Sequence, residues 1–303
     1  MLSGYLFSKI LDGKEIAFVP FFINRALRLL PLLLLTLTLL GFQKYLAGED
    51  IFQYIKRVCM GLVFPTLPHG GWSITVESHF YLMLPLLLAV LSKHPRVGLI
   101  FLAAAIAVRG MLYLHGFETR FWAYWTIVGR VDQFLCGMML FQFRYLLTRR
   151  HTTVALIMLA FTIFYWLFDA AGGYNRMGDP PAANPLWIII PTIEGAAYAS
   201  IIAWYDTSFS FRSTGFSRLL GLAGELSYSM YLLHFFTVFA TARFIQTHVM
   251  DISNFYIASL WALAFYIAML PIVYVSYRFV EMPFLKLRRR YTIQRHERDT
   301  ATT

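Results

Sequence analysis

The chain has 303 residues, of which 58% are hydrophobic and only 14% are charged, and its mean hydropathy is +0.59. Soluble domains contain about 25% charged residues, so this composition excludes a soluble globular protein and indicates one integral membrane domain. The formal net charge of +10 comes from short basic segments between apolar runs. That pattern is typical of membrane topology, and nucleic acid is not an expected partner.

Apolar runs of bilayer length follow one another along nearly the whole chain. The opening MLSGYLFSKIL resembles the end of a membrane helix. We therefore expect an all-α, polytopic transmembrane helix bundle with about eight full spans plus a partial N-terminal helix. Its expected domains are a single membrane domain over residues 1–290 and a polar cytoplasmic tail over residues 291–303. A window of about 20 residues places the spans at 26–46, 72–91, 97–115, 122–143, 152–171, 186–206, 219–243 and 256–278.

Two segments between these runs are predicted to stay outside the bilayer core. Residues 51–64 are too few to span and carry Lys56 and Arg57 at their middle, which predicts an interfacial or re-entrant segment. Residues 172–185 are rich in Gly, Pro and Asn and predict an external turn. If the residues before position 26 are cytoplasmic, the inside segments hold three times as many Lys and Arg residues as the outside ones. The positive-inside rule then places the C-terminal tail in the cytoplasm.

Ionisable residues inside the apolar runs are the candidates for chemistry. Each costs roughly 2.5–3.5 kcal/mol on insertion scales, so they mark a functional site by default. Structural ion pairs are the alternative, which we weigh for Arg109, Asp132, Glu194 and Glu225. The set that we expect to be buried or half-buried is Arg28, Glu77, His79, Arg109, Arg130, Asp132, Glu194, Glu225 and His234.

Arg25 and Arg28 are three residues apart, on one helical face near the predicted cytoplasmic interface. Two guanidinium groups in this arrangement could bind a phosphorylated cofactor, and lipid headgroups are the alternative. Glu77 and His79 are two residues apart and do not face each other on a regular helix, so each needs a partner from another span. His234 follows a run of hydroxyl residues, which indicates either hydrogen-bonded packing or substrate binding.

Several kinds of site are not expected. The two cysteines, Cys59 and Cys136, are far apart and form no Cys/His cluster, so neither a disulfide framework nor a metal site is predicted. The sequence has no GxSxG elbow, Walker A run or HExxH motif, which argues against hydrolase, NTPase and zinc protease functions.

Six segments together resemble the bacterial integral membrane acyltransferases of the type-three family. They are SGYLFSKIL, NRALRLLP, GWSITVESHFYLMLPLLL, GRVDQFLCGMML, ELSYSMYLLHFF and YRFVEMPFLKL, in the family's order and over essentially the whole chain. The resemblance implies a helix bundle of the inner membrane that transfers an acyl group from acyl-CoA, acetyl-CoA above all, to a hydroxyl of a surface glycan or glycolipid.

The resemblance also implies roles for particular residues. Arg25 and Arg28 match an R-x-x-R motif on the side of the donor, and Glu77 matches a motif carboxylate. Arg130 and Asp132 match a polar pair on a middle helix, and His234 matches a late motif; we expect these three to bind substrate or to be structural. The chain lacks the family's first helix with its catalytic His, which favours a truncated reading frame. His79 is then the nearest substitute, and we expect Glu77 and His79 to be catalytic.

Two other functions are weighed against this one. Intramembrane charges also line the pathways of transporters, so a transporter or flippase for a glycan or lipid-linked sugar is the first alternative. An inactive, truncated acyltransferase fragment that serves as a membrane partner is the second. Binding of acyl-CoA distinguishes the enzyme from a transporter.

Overall fold

The structure, a computed structural model, describes residues 1–173, 184–210 and 214–294. These residues are mostly helical. In chain order the helices are α1 (Leu2–Ile10), α2 (Phe18–Leu46), α3 (Ile51–Met60), α4 (Trp72–Leu91), α5 (Val97–Leu114), α6 (Thr119–Trp125), α7 (Ile127–Gln142), α8 (His151–Ala170), α9 (Ile190–Ser208), α10 (Phe216–Leu233), α11 (Val238–His248), α12 (Phe255–Ser276) and α13 (Met282–Leu285).

Within the described ranges, five helices are long and apolar enough to cross a membrane: α2, α4, α5, α8, and α12 with its continuation to Leu285. The prediction of a helical membrane protein is confirmed at this level. Three further predicted spans fall on less regular or more polar segments. Window 122–143 is divided between α6 and α7, and window 219–243 between α10 and α11, while α9 carries two carboxylates. A hydropathy window averages over such breaks and does not register them.

The structure also bears on the segments that were predicted to lie outside the bilayer core and on the C-terminal tail. Helix α3 occupies part of the segment predicted as interfacial, has only ten residues and buries none of them. Most of the loop predicted at 172–185, residues 174–183, lies outside the described residues, as do residues 295–303 of the predicted tail. The residues before these form strand β2 (Thr292–Gln294), which pairs antiparallel with β1 (Lys14–Ile16), so the fold is not purely helical.

The chain separates into two compact units, each built from discontinuous segments. Unit 1 contains residues 1–17, 76–210 and 292–303, and unit 2 contains residues 18–75 and 211–291. The boundary at residue 76 falls inside α4.

Helix α7 is the centre of unit 1. Its residues from Asp132 to Met139 are all buried, and it packs against α1, α5, α6 and α9. The ring of Phe134 on α7 stacks on Phe80 of α4, with centroids 3.8 Å apart. Because neighbouring helices surround α7, its polar side chains are shielded from lipid, whereas α8 exposes large apolar residues such as Leu156 and Trp166.

Glycines allow α1 to lie directly on α7. A Cβ on Gly4 would be 2.2 Å from the carbonyl oxygen of Phe134, and a Cβ on Gly137 would be 2.1 Å from that of Met1. Small residues at helix interfaces in membranes permit this close approach of backbones.

We expect Gly4→Ala to destabilise unit 1 by about 1–3 kcal/mol, because its methyl group meets backbone atoms that no side-chain rotation can move. Gly110→Ala on α5 is the matched control: its Cβ meets no atom within 4 Å, so we expect a gain of about 0.5–1 kcal/mol from reduced backbone entropy. Thermal unfolding in detergent, followed by tryptophan fluorescence, measures both. Equal unfolding temperatures for the two variants would contradict the proposed packing.

In unit 2, α10 packs against α2 and α12. Leu226 of α10 forms a buried apolar cluster with Met269 and Val273 of α12. Beyond α12, residues Tyr277–Glu281 form a π-helical turn before α13. Single π-helical turns inside helices are frequent at functional sites.

Candidate functional site

Arg109 and Asp132 form an ion pair in the interior of unit 1, and both side chains are 0% exposed. The pair is bidentate, with Nη2–Oδ2 and Nη1–Oδ1 distances of 2.7 and 3.0 Å. The Arg109 guanidinium also donates to the carbonyl oxygens of Ile188 (2.7 Å) and Val128 (3.3 Å) and to the Thr192 hydroxyl (3.1 Å). These contacts connect α5 to α7 and α9. They agree with the alternative that Arg109 and Asp132 form a structural ion pair.

Arg130 and Glu194 form a second network in unit 1. Arg130 Nη1 lies 3.3 Å from Glu194 Oε2, and the guanidinium carbon lies 4.4 Å from the centre of the Tyr124 ring. Glu194 also accepts from Gln133 at 2.7 Å and from the Tyr165 hydroxyl. Arg130 thus pairs with Glu194 of α9, and Asp132 pairs with Arg109, whereas the sequence matched Arg130 and Asp132 as one polar pair. Their roles in substrate binding stay predictions.

Glu77 and His79 lie on α4 in unit 1, and both side chains are half-buried. Glu77 accepts a hydrogen bond from the Tyr81 hydroxyl one turn further along the same helix. His79 makes no hydrogen bond to any part of the chain that the structure describes. The two residues point in different directions, as their spacing predicts, and their catalytic roles stay predictions.

Arg25, Arg28 and Arg288 form a cationic cluster in unit 2. Arg25 is half-buried, with its guanidinium carbon 5.4 Å from the centre of the Phe21 ring and 5.9 Å from that of Tyr291. Partial desolvation, followed by the positive charges of Arg28 and Arg25, lowers the pKa of Arg288. An arginine stays protonated in any case, and the contribution of Arg28 and Arg25 to this shift indicates that the three positive charges lie near one another.

The position of Arg288 depends on a side chain that the sequence reasoning missed. Asn24, which is 3% exposed, donates to the carbonyl oxygen of Arg289 at 2.6 Å and accepts from the Arg289 N–H at 3.0 Å. This reciprocal pair attaches the segment around Arg289 to α2 and brings Arg288 near Arg28. An amide inside the apolar run next to Arg25 was the available sequence signal.

Two members of the predicted buried set are more exposed than expected. Arg28 on α2 and Glu225 on α10 are both solvent-accessible in the structure. Hydropathy places a residue inside an apolar helix, but only packing decides whether it faces the bundle. Glu281, in the π-helical turn, is instead a buried carboxylate of unit 2, with 3% of its surface exposed. It accepts a hydrogen bond from Ser229.

His234 lies at the end of α10, close to a second histidine that the sequence reasoning missed. His69, in the turn before α4, packs edge-on against Phe236 at 4.8 Å and stacks on Phe235 at 5.8 Å between ring centres. The Tyr231 hydroxyl joins the two segments, with Gly70 O at 2.5 Å and Ser73 Oγ at 2.8 Å. The signal available in the sequence was the PHGGWS segment, which places His69 just before the start of α4.

The predicted site residues are therefore divided between the two units. Glu77, His79, Arg130 and Asp132 belong to unit 1, whereas Arg25, Arg28 and His234 belong to unit 2. Within unit 2 the cationic cluster and the histidine pair are separate groups.

Long apolar helices and the fully buried Arg109–Asp132 ion pair characterise this chain as a membrane protein with a polar interior. It belongs to the acyltransferase domain family, which matches residues 1–278.

Curated relatives are similar at low identity. The chain is 24% identical over 341 aligned positions to "Putative O-acetyltransferase SACOL0978" of Staphylococcus aureus strain COL and equally to "Putative O-acetyltransferase SAR0937" of strain MRSA252. The alignment covers 94% of this chain and 51% of each relative, so the chain spans about half the length of these proteins. No solved structure matches the chain.

Proposed function

We propose that this chain is a membrane-bound O-acyltransferase, which moves an acyl group from acyl-CoA to a hydroxyl of a cell-surface glycan or glycolipid. Family membership supports acyl transfer, and the names of the relatives favour acetyl as the group. In this reaction the thioester C–S bond breaks and an ester C–O bond forms, while the proton of the hydroxyl ends on the CoA thiol. A base for that proton and donors for the developing oxyanion are the groups that the site must supply.

The cationic cluster of Arg25, Arg28 and Arg288 is the observation that carries this proposal. Three guanidinium groups gathered at one end of unit 2 suit the phosphates of CoA, because guanidinium binds phosphate through paired, charge-assisted hydrogen bonds. Arg28 and Arg288 are accessible to a ligand, and contacts with Phe21 and Tyr291 hold Arg25 in place.

The remaining assignments are parts of the same proposal. Glu77 and His79 act in catalysis. Arg130, Asp132 and His234 bind substrate or hold the substrate-binding residues in place. The protein lies in the bacterial inner membrane with about eight spans and a cytoplasmic C-terminus, and the positive-inside pattern of the sequence supports this orientation.

Calorimetric titration of the purified chain in detergent with CoA and with dephospho-CoA tests the donor site. We expect Arg28→Ala to weaken CoA binding about 10- to 100-fold, since each charge-assisted hydrogen bond contributes about 1.5–3 kcal/mol. If the Arg288 guanidinium binds the 3′-phosphate of CoA, Arg288→Gln should weaken the binding of CoA more than that of dephospho-CoA, which lacks this phosphate.

Arg290→Gln is the matched control, because this exposed residue of the same segment carries the same charge without belonging to the cluster. Unchanged CoA affinity in both cluster variants would refute the donor site. A wild-type chain that does not bind CoA at all would instead point to the transporter alternative.

A further inference from the structure

A group of aromatic and hydrogen-bonding side chains in unit 2 lies away from the cationic cluster. We name it the His69 cluster: His69, Ser73, Tyr231, His234, Phe235 and Phe236. All six side chains are half-buried, so they are held by packing but remain within reach of a ligand.

The backbone at His69 is held in an unfavourable conformation. His69 has φ +54°, a left-handed value that costs a residue with a side chain of order 1–3 kcal/mol, and Gly70 follows with φ +76°. A Cβ on Gly70 would lie 2.7 Å from the Phe235 ring and 2.8 Å from the Tyr231 hydroxyl, so only glycine fits there. The fold maintains this turn through the bond from Tyr231 to the Gly70 carbonyl. Strain of this kind is concentrated at functional sites.

The surroundings of His69 keep its imidazole neutral. Burial, followed by the charges of His234 and Lys44, lowers the pKa of His69 below its ordinary value. Its Nδ1 is buried with no hydrogen-bond partner among the described residues, so a proton there would create an unsatisfied buried N–H. Tyr231 is the remaining titratable group of the cluster. At neutral pH His69 therefore offers an uncharged ring whose Nε2–H can donate a hydrogen bond.

The arginines of α2 and the residue whose charge acts on His69 lie in different halves of this helix. Lys44, whose charge acts on His69, is 16 residues beyond Arg28 on this helix. At 1.5 Å per residue the two positions are about 24 Å apart. The cationic cluster thus presents three guanidinium groups, whereas the His69 cluster presents imidazole, hydroxyl and aromatic groups, and the nearby Lys44 is paired with Glu49.

These groups suit an uncharged polyhydroxy ligand. Ring faces carry partial negative charge and pack against the C–H faces of a sugar, while imidazole, Ser73 and Tyr231 can exchange hydrogen bonds with its hydroxyls. A phosphate or carboxylate would find no guanidinium in this cluster.

We propose that the His69 cluster is the binding site for the saccharide acceptor, with His69 hydrogen-bonded to the hydroxyl that is acylated. This inference rests on the proposed function, and it adds His69, Phe236 and Ser73 to the residues that contact substrate.

The test uses membranes that contain the full chain, supplied with radiolabelled acetyl-CoA. The measured quantities are the alkali-labile acetyl label in the membranes' own glycans and, on purified protein, the dissociation constant of CoA. The variant is His69→Asn, because asparagine tolerates the left-handed backbone while it removes the imidazole. His248→Asn is the matched control, since His248 is an exposed histidine of the same unit.

We expect His69→Asn to reduce glycan labelling at least about tenfold, the effect of a lost hydrogen bond to substrate, with CoA affinity changed less than about twofold. Wild-type labelling should fall as the pH drops through the lowered pKa of His69, since the neutral ring is the binding form, and the variant should lose that dependence on His69. His248→Asn should match wild type in every measurement.

Wild-type labelling in His69→Asn would overturn the inference, and so would loss of CoA binding together with labelling, because that result indicates a structural role. A wild-type chain that neither binds CoA nor labels glycans would refute the proposed function itself. An active wild type with an unaffected variant refutes only the acceptor site.

Discussion

Arg109→Met is expected to destabilise unit 1 by about 3–5 kcal/mol, the usual effect of leaving one buried charge without its partner. Asp132 is 0% exposed and would keep only the Thr192 hydroxyl among its present side-chain partners. Neither water nor lipid reaches it to compensate. Unfolding in detergent, followed by tryptophan fluorescence over a denaturant series, measures the loss.

Two further variants make this prediction specific. The double variant Arg109→Met/Asp132→Leu should be more stable than Arg109→Met alone, because it removes both buried charges together. Lys9→Met serves as the control, since the Lys9–Asp206 pair at 2.5 Å is partly exposed and should contribute less than about 1 kcal/mol. If Lys9→Met and Arg109→Met had equal effects, the buried pair would not hold unit 1 together.

Glu77→Gln is expected to reduce acyl transfer about 100-fold or more, the usual contribution of a charged acid–base group, and to leave CoA affinity nearly unchanged. Glutamine keeps an oxygen that accepts from the Tyr81 hydroxyl, so the variant removes the negative charge while the local hydrogen bond persists. Radiolabel transfer from acetyl-CoA to membrane glycans measures the rate, and calorimetry measures CoA binding.

Tyr81→Phe shows whether the hydrogen bond alone matters, and we expect a smaller loss because the carboxylate remains. Glu118→Gln is the neutral comparison, because Glu118 is an exposed carboxylate in the loop before α6 of the same unit. If Glu77→Gln transferred the acyl group as fast as Glu118→Gln does, Glu77 would not be a catalytic residue.

Hydropathy predicted four of the long helices well, whereas α2 begins at Phe18, eight residues before its predicted window. Helix α4 has the same bounds as its predicted window, and α5, α8 and α12 differ from theirs by one or two residues. The prediction was weakest at α7 and α10, where a break divides the window. Neighbouring helices cover α7, so its sequence is not under the same demand for uninterrupted apolar surface.

The candidate site was predictable only where its residues are close in sequence. Arg25 and Arg28 could be paired by helical spacing, because three residues bring two side chains to one face. Arg288 and His69 could not, since each reaches its partners through contacts across long stretches of chain. Asn24 is fastened to Arg289, 265 residues away, and Tyr231 is bonded to Gly70, 161 residues away.

By itself, the sequence determined that this is a helical membrane protein with charges inside its apolar segments, because composition and local spacing carry that information, and its motifs resemble those of a membrane acyltransferase family. Only the tertiary structure decided which of those charges pair, as Arg109 and Asp132 do, and which like charges come near one another, as the three arginines of unit 2 do. The reason is physical: the cost of a buried charge depends on the groups within a few ångströms of it, and folding brings those groups from distant parts of the chain.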